Sequence, residues 1–244
     1  MDEYQRFIFD TQGCLILPDL LTRDQVDRLI AGFPRDAKGQ VIREPDNGLL
    51  AYDEPLFRDL VNHPQVLPYL TTLLADYHRP EDEPWQLFLD HEYFMYLQPG
   101  EECTPFHNGG TPYTPWYRYT VQGGKIYCGL LTVLWSLCDA GKDEGGFWYI
   151  PGSHQANFPM PSGMTDYTWV PDCTVQPAVT AGSAIIFTEA LVHGTRPWRA
   201  QHDRYALFYK YLPGYMGLGR NNLEQRTSRL DEAQVKYVVP SPPY

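Results

Sequence analysis

The sequence predicts a mainly β protein in which a barrel-like core follows N-terminal helices. Aromatic residues make up 14% of the 244 residues, and glycine (20) and proline (22) are both abundant. This composition is typical of many short strands joined by turns. The hydrophobic period also changes along the chain, from helical spacing before about residue 84 to strand-like runs after it. All-β domains often reach this length, so we expect one domain over residues 1–244.

The N-terminal part, about residues 1–84, contains two predicted helices. A turn and a short strand are expected first, over Asp10–Pro18. The segment 20–33 follows, with Thr22 as its N-cap and apolar residues at helical spacing. Residues 34–54 are polar and are interrupted by glycine and proline, which favours a loop. Helical spacing then returns over Pro64–Tyr77.

The β core is predicted to span about residues 85–213. Its strands are aromatic or β-branched runs that end at glycine, proline or aspartate turns. The predicted strands are Trp85–Gln98, Ile126–Leu137, Gly146–Ile150, Ser183–Phe187 and Tyr205–Leu212. A C-terminal part over residues 214–244 should contain a helix near Asn222–Lys236 before the proline-rich end of the sequence.

Charge and cysteine content narrow the class of partner. The chain carries 30 acidic and 19 basic residues, a formal net charge of -11. This charge disfavours nucleic acid or an anionic membrane, so a small-molecule substrate fits better. The five cysteines show no CxxC spacing, which argues against a disulfide framework or a zinc site. Because the N-terminus lacks the features of a secretory signal and no run approaches a membrane span, we expect a cytoplasmic protein. None of these features indicates an oligomeric state.

Two of the seven histidines stand in contexts that suit a metal site. His107 lies in PFHNGG, where glycines allow close approach to a centre, and His193 lies in FTEALVHGT after a predicted strand. Two histidines on facing strands can hold a metal and leave its other positions open. Arg204 follows His193 by eleven residues, and its planar guanidinium suits a carboxylate. A lone histidine is more often structural, so the prediction depends on the combination.

Four segments resemble the phytanoyl-CoA dioxygenase family, and together they span nearly the whole chain. They are FIFDTQGCLILPDLLTRDQV, LWSLCDAGKDEGGFWYIPGSH, AGSAIIFTEALVHGT and RYALFYKYLP. The resemblance implies a double-stranded β-helix, which is a cupin-like jelly roll, and an oxygenase that uses Fe(II) and 2-oxoglutarate. It also implies that His107 and His193 bind iron and that Arg204 binds 2-oxoglutarate. Thr195, two residues after the distal histidine, and Asn108 are expected to support the co-substrate.

The chain departs from the family pattern at the third iron ligand. The pattern HxD would place an aspartate where this chain has Gly109, and Asn108 should point to the opposite face of an extended segment. Asp139, Asp143 and Glu144 are predicted to be residues of a hairpin turn at some distance from the metal. Iron halogenases that resemble this family have alanine or glycine at the carboxylate position and bind chloride there.

Several interpretations of Gly109 stay open at this stage. Chloride fills the position in a halogenase, water fills it in a hydroxylase, or a remote acid reaches the metal. Alternatively, the metal site is degenerate and the protein is a non-catalytic barrel that binds a small ligand. The leading expectation is oxidation of an unactivated C–H bond of a small molecule, by hydroxylation or halogenation, with release of succinate and CO2.

Overall fold

Most strands lie between helices at the two ends of the chain. In this computed structural model the described residues are 1–45, 47–74, 87–102, 104–108, 118–165, 168–217 and 223–239. The α-helices are α1 (Glu3–Gln12), α2 (Arg23–Ala31), α3 (Leu56–Asp59), α4 (Leu67–Leu73), α5 (Leu223–Thr227) and α6 (Glu232–Val235). Within those ranges, no helix is both long and apolar enough to cross a membrane.

The strands form one large and two small antiparallel sheets. The strands are β1 (Cys14–Leu17), β2 (Leu87–Leu97), β3 (Tyr119–Gln122), β4 (Lys125–Cys128), β5 (Leu131–Ser136), β6 (Gly146–Tyr149), β7 (Ala184–Thr188), β8 (His193–Arg196) and β9 (Arg204–Pro213). The large sheet has the order β1-β7-β5-β9-β2, while β6 pairs with β8 and β3 pairs with β4. Neighbours in the large sheet are distant in sequence, which is typical of a jelly roll rather than of a meander.

The inner face of the large sheet packs on the β6–β8 sheet. Leu134, Ile185 and Phe208 from the large sheet form a buried cluster with Phe147 and Tyr149 of β6. Alternate residues of each strand point into this interior, because side chains alternate between the faces of a sheet. On β9 the residues that share this face are Arg204, Ala206, Phe208 and Lys210.

The outer face of the large sheet is covered by the helices. Val133, Leu207 and Tyr209 belong to one buried cluster with Val26 and Leu29 of α2. The hydroxyl of Tyr209 donates a 2.6 Å hydrogen bond to the carbonyl of Phe57, and the hydroxyl of Tyr211 donates one of 2.8 Å to the carbonyl of Val61. These bonds satisfy phenol groups that would otherwise be buried without a partner. The large sheet is therefore the middle layer of the molecule.

The predicted helix after Thr22 is confirmed, whereas α1 was missed. The Thr22 side chain accepts a hydrogen bond from the backbone of Gln25, whose own side chain accepts one from the Thr22 backbone, which is a capping box. The sequence predicts a turn from Asp10, but α1 continues to Gln12 and ends at Gly13, whose φ is +78°. Only Phe9 of α1 is buried, so its apolar stripe is too narrow to be read from spacing.

The predicted strands are confirmed with small shifts, and one of them is divided. The run Ile126–Leu137 contains β4 and β5, which separate near Gly129 because β4 pairs with β3 and β5 joins the large sheet. Strands β3 and β8 were not predicted, and the C-terminal helix is split into α5 and α6. Four predicted features lie outside the described residues: the end of the helix predicted to Tyr77, the start of the strand predicted from Trp85, Asn222, and Gly109.

Candidate active site

His107 and His193 are direct neighbours across a β-bridge at the edge of the β6–β8 sheet. Each backbone N–H donates a 2.9 Å hydrogen bond to the carbonyl of the other residue. Residues paired in this way carry their side chains on the same face. Their ring centroids are accordingly 4.3 Å apart, with the ring planes inclined by 54°. Residues separated by 86 positions in the chain are thus brought together by one pair of backbone hydrogen bonds.

Both rings are oriented in the same way by a backbone carbonyl two residues earlier. His107 Nδ1 lies 3.0 Å from the carbonyl oxygen of Pro105, and His193 Nδ1 lies 2.8 Å from that of Leu191. A carbonyl oxygen only accepts, so each Nδ1 carries the proton and each Nε2 presents its lone pair. Neither Nε2 has a hydrogen-bond partner within the described part of the chain. Metal-binding histidines are commonly held in this tautomer by such a second contact.

The surroundings of His193 keep its ring uncharged. Burial lowers the pKa of His193 to about 4, attraction to Glu189 opposes that shift, and repulsion from His107 adds to it. The ring is therefore neutral near pH 7, which is the form that binds a metal. Its centroid lies 4.6 Å from that of Phe187 and 6.2 Å from that of Phe147, so two aromatic side chains shield it from water.

Arg204 is buried at the start of β9 and faces the same interior. Its Nη1 lies 2.9 Å from the sulfur of Met95, on the neighbouring strand β2. A side chain on Gly146 would come within 3.4 Å of Arg204 Nε, so this glycine leaves room for the guanidinium beside β6. The structure thus brings the predicted arginine and both predicted histidines to one interior, between the large sheet and the β6–β8 sheet.

The three remaining predicted site residues differ in what the structure shows of them. Thr195 is buried on β8, and since it lies two residues after His193 it shares the same face. Its backbone N–H donates a 2.8 Å hydrogen bond to the carbonyl of Thr104. Asn108 is half-buried directly after His107. Gly109, the position of the missing carboxylate, lies outside the described residues.

The predicted turn acids serve local backbone groups. Asp139 Oδ1 accepts a 2.8 Å hydrogen bond from the N–H of Ala181, and Glu144 Oε2 accepts one of 2.6 Å from the N–H of Gly141. Both acids lie in the segment that joins β5 to β6, but these strands belong to different sheets, so the segment is not the predicted hairpin turn. Among the described residues, no three His, Cys, Asp or Glu side chains are grouped closely enough to hold a metal ion.

A buried ion pair near His193 was missed by the sequence analysis. Lys210 Nζ lies 3.0 Å from Glu189 Oε1, and the hydroxyl of Thr132 donates a short hydrogen bond to the same oxygen. Burial alone would raise the pKa of Glu189, but attraction to His193 and Lys210, together with the Thr132 bond, lowers it to about 2. Alternation along β9 could have revealed Lys210, since it shares a face with Ala206 and Phe208 inside an apolar strand.

Solved structures similar to this fold include proteins that bind a metal and 2-oxoglutarate. HygX from Streptomyces hygroscopicus with nickel, 2-oxoglutarate and hygromycin B bound has a TM-score of 0.71 and 22% identity, over 87% of this chain and 88% of that one. HygX with nickel and 2-oxoglutarate bound has a TM-score of 0.70 and 25% identity, over 87% of each chain. SnoK, a non-heme α-ketoglutarate-dependent carbocyclase from nogalamycin biosynthesis, has a TM-score of 0.60 and 17% identity, over 95% of this chain and 91% of that one. These similarities confirm the predicted cupin-like jelly roll.

The sequence identifies the family within that class. The family model for phytanoyl-CoA dioxygenase (PhyH) matches residues 9–206, which is most of the chain. The protein therefore belongs to the phytanoyl-CoA dioxygenase family of Fe(II)- and 2-oxoglutarate-dependent oxygenases. No curated protein sequence matches the chain.

Proposed function

We propose that the protein uses His107 and His193 to bind Fe(II) and Arg204 to bind 2-oxoglutarate, and that it oxidises a C–H bond of a small molecule. The observation that carries this proposal is the matched orientation of the two imidazoles. Each donates Nδ1–H to the carbonyl two residues earlier, which leaves two Nε2 lone pairs for one metal. The low pKa of His193 supports it, because a neutral ring binds metal without losing a proton.

The remaining side chains of the site suit the co-substrate. The Arg204 guanidinium can pair with the carboxylate of 2-oxoglutarate farthest from its keto group, through two parallel hydrogen bonds. Thr195 lies on the same face of β8 as His193, which supports a role for its hydroxyl in binding the co-substrate. Iron with 2-oxoglutarate supplies the oxidising power, since activation of O2 is coupled to formation of succinate and CO2. Phe147 and Phe187 exclude water around His193. Exclusion of water limits side reactions of reactive intermediates.

The product depends on what completes the iron coordination at Gly109. Glycine has no side chain to serve as a ligand, so an exogenous anion or water would have to take the place of the usual carboxylate. Chloride would favour transfer of chlorine to the substrate, and water would favour hydroxylation. HygX, which binds 2-oxoglutarate together with hygromycin B, supports a small-molecule substrate for this chain as well.

The metal assignment is tested by the stoichiometry of bound Fe(II) in anaerobically reconstituted protein. His107→Ala and His193→Ala should each lose the metal, because a site with two protein ligands has none to spare. His202→Ala is the matched control, since His202 is exposed and its Nε2 contacts only the carbonyl of Asp139. Full iron content in either site variant would refute the assignment. If the unaltered protein binds neither iron nor 2-oxoglutarate, it is instead a ligand-binding barrel.

The anion position is tested by comparing the iron(II)–2-oxoglutarate absorption band with and without chloride or bromide. A halide-dependent shift that disappears in Gly109→Asp would support halogenation, because the restored carboxylate occupies the anion position. An unchanged spectrum and a hydroxylated product would support hydroxylation. A shift that persists in Gly109→Asp would show that the open position lies elsewhere.

A further inference from the structure

Two opposite charges are buried inside the barrel at a place that the proposed chemistry does not use. Glu189 follows β7, and Lys210 lies on β9; their side chains are 4% and 14% exposed. Thr132 on β5 lies directly opposite Lys210 in the sheet, and its hydroxyl bonds to Glu189. The three residues therefore form one polar group on the inner face of the large sheet, surrounded by apolar side chains.

This polar group lies at the end of β9 opposite to Arg204. Arg204 and Lys210 both face the interior, and they are six positions apart, which is about 20 Å along a strand. Glu189 and His193 both lie in or beside the short connection from β7 to β8, so His193 is on the same side of the site as the pair. Arg204 and the Glu189–Lys210 pair thus occupy opposite ends of the site. If Arg204 binds the co-substrate, the Glu189–Lys210 pair is available to contact the substrate.

The pair retains hydrogen-bonding capacity. Both contacts to the carboxylate of Glu189 involve Oε1, and Oε2 has no hydrogen bond within the described residues. Lys210 Nζ has three donors, of which the ion pair uses one. A hydroxyl group both donates and accepts, so a hydroxyl can bind between Oε2 and Nζ. An ammonium group can bind at Oε2.

An aromatic shelf, made of His91, Tyr93 and Phe208, lies beside the pair. Tyr93 stacks on Phe208 with centroids 4.7 Å apart and planes inclined by 4°, and His91 stacks on Tyr93 at 6.0 Å and 15°. Lys210 Nζ lies 5.8 Å from the centre of the Tyr93 ring. Tyr93 is 37% exposed and lies on the edge strand β2. Stacked aromatic rings next to fixed polar groups suit a ligand with an apolar face and a polar rim.

We infer that Glu189 and Lys210 anchor the substrate and that the aromatic shelf supports it. The substrate class that this arrangement fits is a polyhydroxylated small molecule, such as a sugar or aminocyclitol, that is neutral or cationic. This inference rests on the proposed function, because it assigns Arg204 to 2-oxoglutarate and so leaves the opposite end of the site for the substrate.

The test measures binding of hygromycin B by calorimetry, to protein with and without Ni(II) and 2-oxoglutarate. Octanoate is the contrasting probe, because it has an apolar chain and one anionic group. Glu189→Gln and Lys210→Met should each weaken hygromycin B binding by about tenfold or more, as expected when one charge-assisted hydrogen bond is lost. Uptake of Ni(II) and 2-oxoglutarate should stay unchanged in both variants.

The chain offers a closely matched control in the Glu92–Arg226 pair. Its side chains are 4% and 15% exposed with a 2.7 Å separation, but Glu92 lies on the opposite face of β2. Glu92→Gln should therefore leave hygromycin B binding unchanged. If a single variant fails to fold, the double variant E189Q/K210M removes both charges and leaves no unpaired ion in the interior.

Three results would overturn the inference. Unaltered hygromycin B binding in E189Q/K210M would show that the pair is structural. Loss of Ni(II) from Glu189→Gln would identify Glu189 as the acid that replaces the missing carboxylate. Binding of octanoate but not of hygromycin B to the unaltered protein would exclude the substrate class. Failure of the proposed function is seen separately, as absence of Ni(II) and 2-oxoglutarate uptake by the unaltered protein.

Discussion

Strand β9 carries two basic residues that face the interior, Arg204 and Lys210, and their chemistry is not interchangeable. Arginine presents a planar fork that matches both oxygens of a carboxylate, whereas lysine presents a compact charge with three donors. Arg204 lies beside Met95 and the backbone of Gly146, a narrow setting for a planar group. Lys210 is paired with Glu189, which sets its position by charge. The two residues therefore suit different ligands.

At Arg204, substitution should affect the co-substrate without affecting the metal. Arg204→Ala leaves a carboxylate of bound 2-oxoglutarate without its partner, which costs roughly 2–5 kcal/mol. The KM for 2-oxoglutarate should rise about 30-fold or more, since 1.4 kcal/mol corresponds to tenfold. Arg204→Lys should show a smaller rise, because it keeps the charge but loses the fork. Steady-state kinetics with measured iron content checks both.

A control for the arginine prediction lies on the other face of β8. Arg196 stacks over Trp148 and donates to Gln176, so it faces away from the interior. Arg196→Ala should leave the KM for 2-oxoglutarate unchanged. An unchanged KM in Arg204→Ala, with lower turnover, would contradict the assignment of Arg204 as the co-substrate residue.

The geometry of the histidine pair depends on how closely the segment 104–107 approaches β8. Gly194 stands between His193 and Thr195, and its missing side chain makes this approach possible. A Cβ at Gly194 would lie 2.7 Å from Trp148 Nε1 and 2.8 Å from the carbonyl oxygens of Thr104 and Pro105. Two of these contacts are with backbone atoms, which cannot rotate away as a flexible side chain can.

Gly194→Ala should therefore weaken metal binding although the residue contributes no ligand. The added methyl would push the segment 104–107 from β8 and disturb the His107–His193 bridge. We expect the Kd for Fe(II) or Ni(II) to rise about tenfold or more, by analogy with the loss of groups that orient metal ligands. Gly163→Ala is the control, since its Cβ would meet two side-chain atoms, the Thr168 hydroxyl at 3.0 Å and Trp169 Cβ at 4.0 Å, and no backbone atom. Equal metal affinity in both variants would contradict the close-approach argument.

For the molecule as a whole, buried titratable groups make stability depend on pH. His154 is buried under α1, where its Nε2 bonds to the carbonyl of Asp10 and its ring meets Tyr119 edge-on. Burial lowers the pKa of His154 to about 4, and the contacts with Asp10 oppose this shift only partly. Glu189 has its pKa lowered to about 2 by the groups around it, against the effect of burial.

We predict that the metal-free protein loses stability in two steps as the pH falls. The unfolded chain binds a proton at His154 more readily than the folded chain, so stability is present above pH 6.5 and is lost towards pH 4. That step amounts to about 3 kcal/mol for His154, from 1.36 kcal/mol per pKa unit. Glu189 adds a second loss as the pH falls from 4.5 towards 2.

Urea unfolding between pH 7 and pH 3 measures these two steps. His154→Gln should make the first step smaller without abolishing it, because glutamine does not titrate but His193, whose pKa burial also lowers to about 4, still does. The effect is read from the slope rather than from the absolute stability. His202→Ala, at an exposed position, should keep the slope of the unaltered protein. An identical pH dependence in His154→Gln would show that another group controls the first step.

Local features of the sequence were sufficient for part of this structure. The capping residue Thr22 and the apolar spacing after it determine α2, because a helix end and an amphipathic face are encoded within a few residues. The main strands of the large sheet were also predictable, because each is an aromatic or β-branched run bounded by turn residues. The motifs around His107 and His193 indicated the metal site for a similar reason, as each context is short and contiguous.

The tertiary structure decided what depends on partners distant in sequence. Strand β8 has only four residues and is stabilised by its pairing with β6. It is too short to show an alternating hydrophobic pattern in the sequence. Thr132 and Glu189 are 57 residues apart in the sequence. The strand register that brings Thr132 next to Lys210 cannot be read from a short stretch of sequence. The tautomer of both histidines likewise depends on backbone carbonyls that the fold brings to Nδ1. Charges and lone pairs act over a few ångströms in space, and only the folded chain determines which residues lie within that distance.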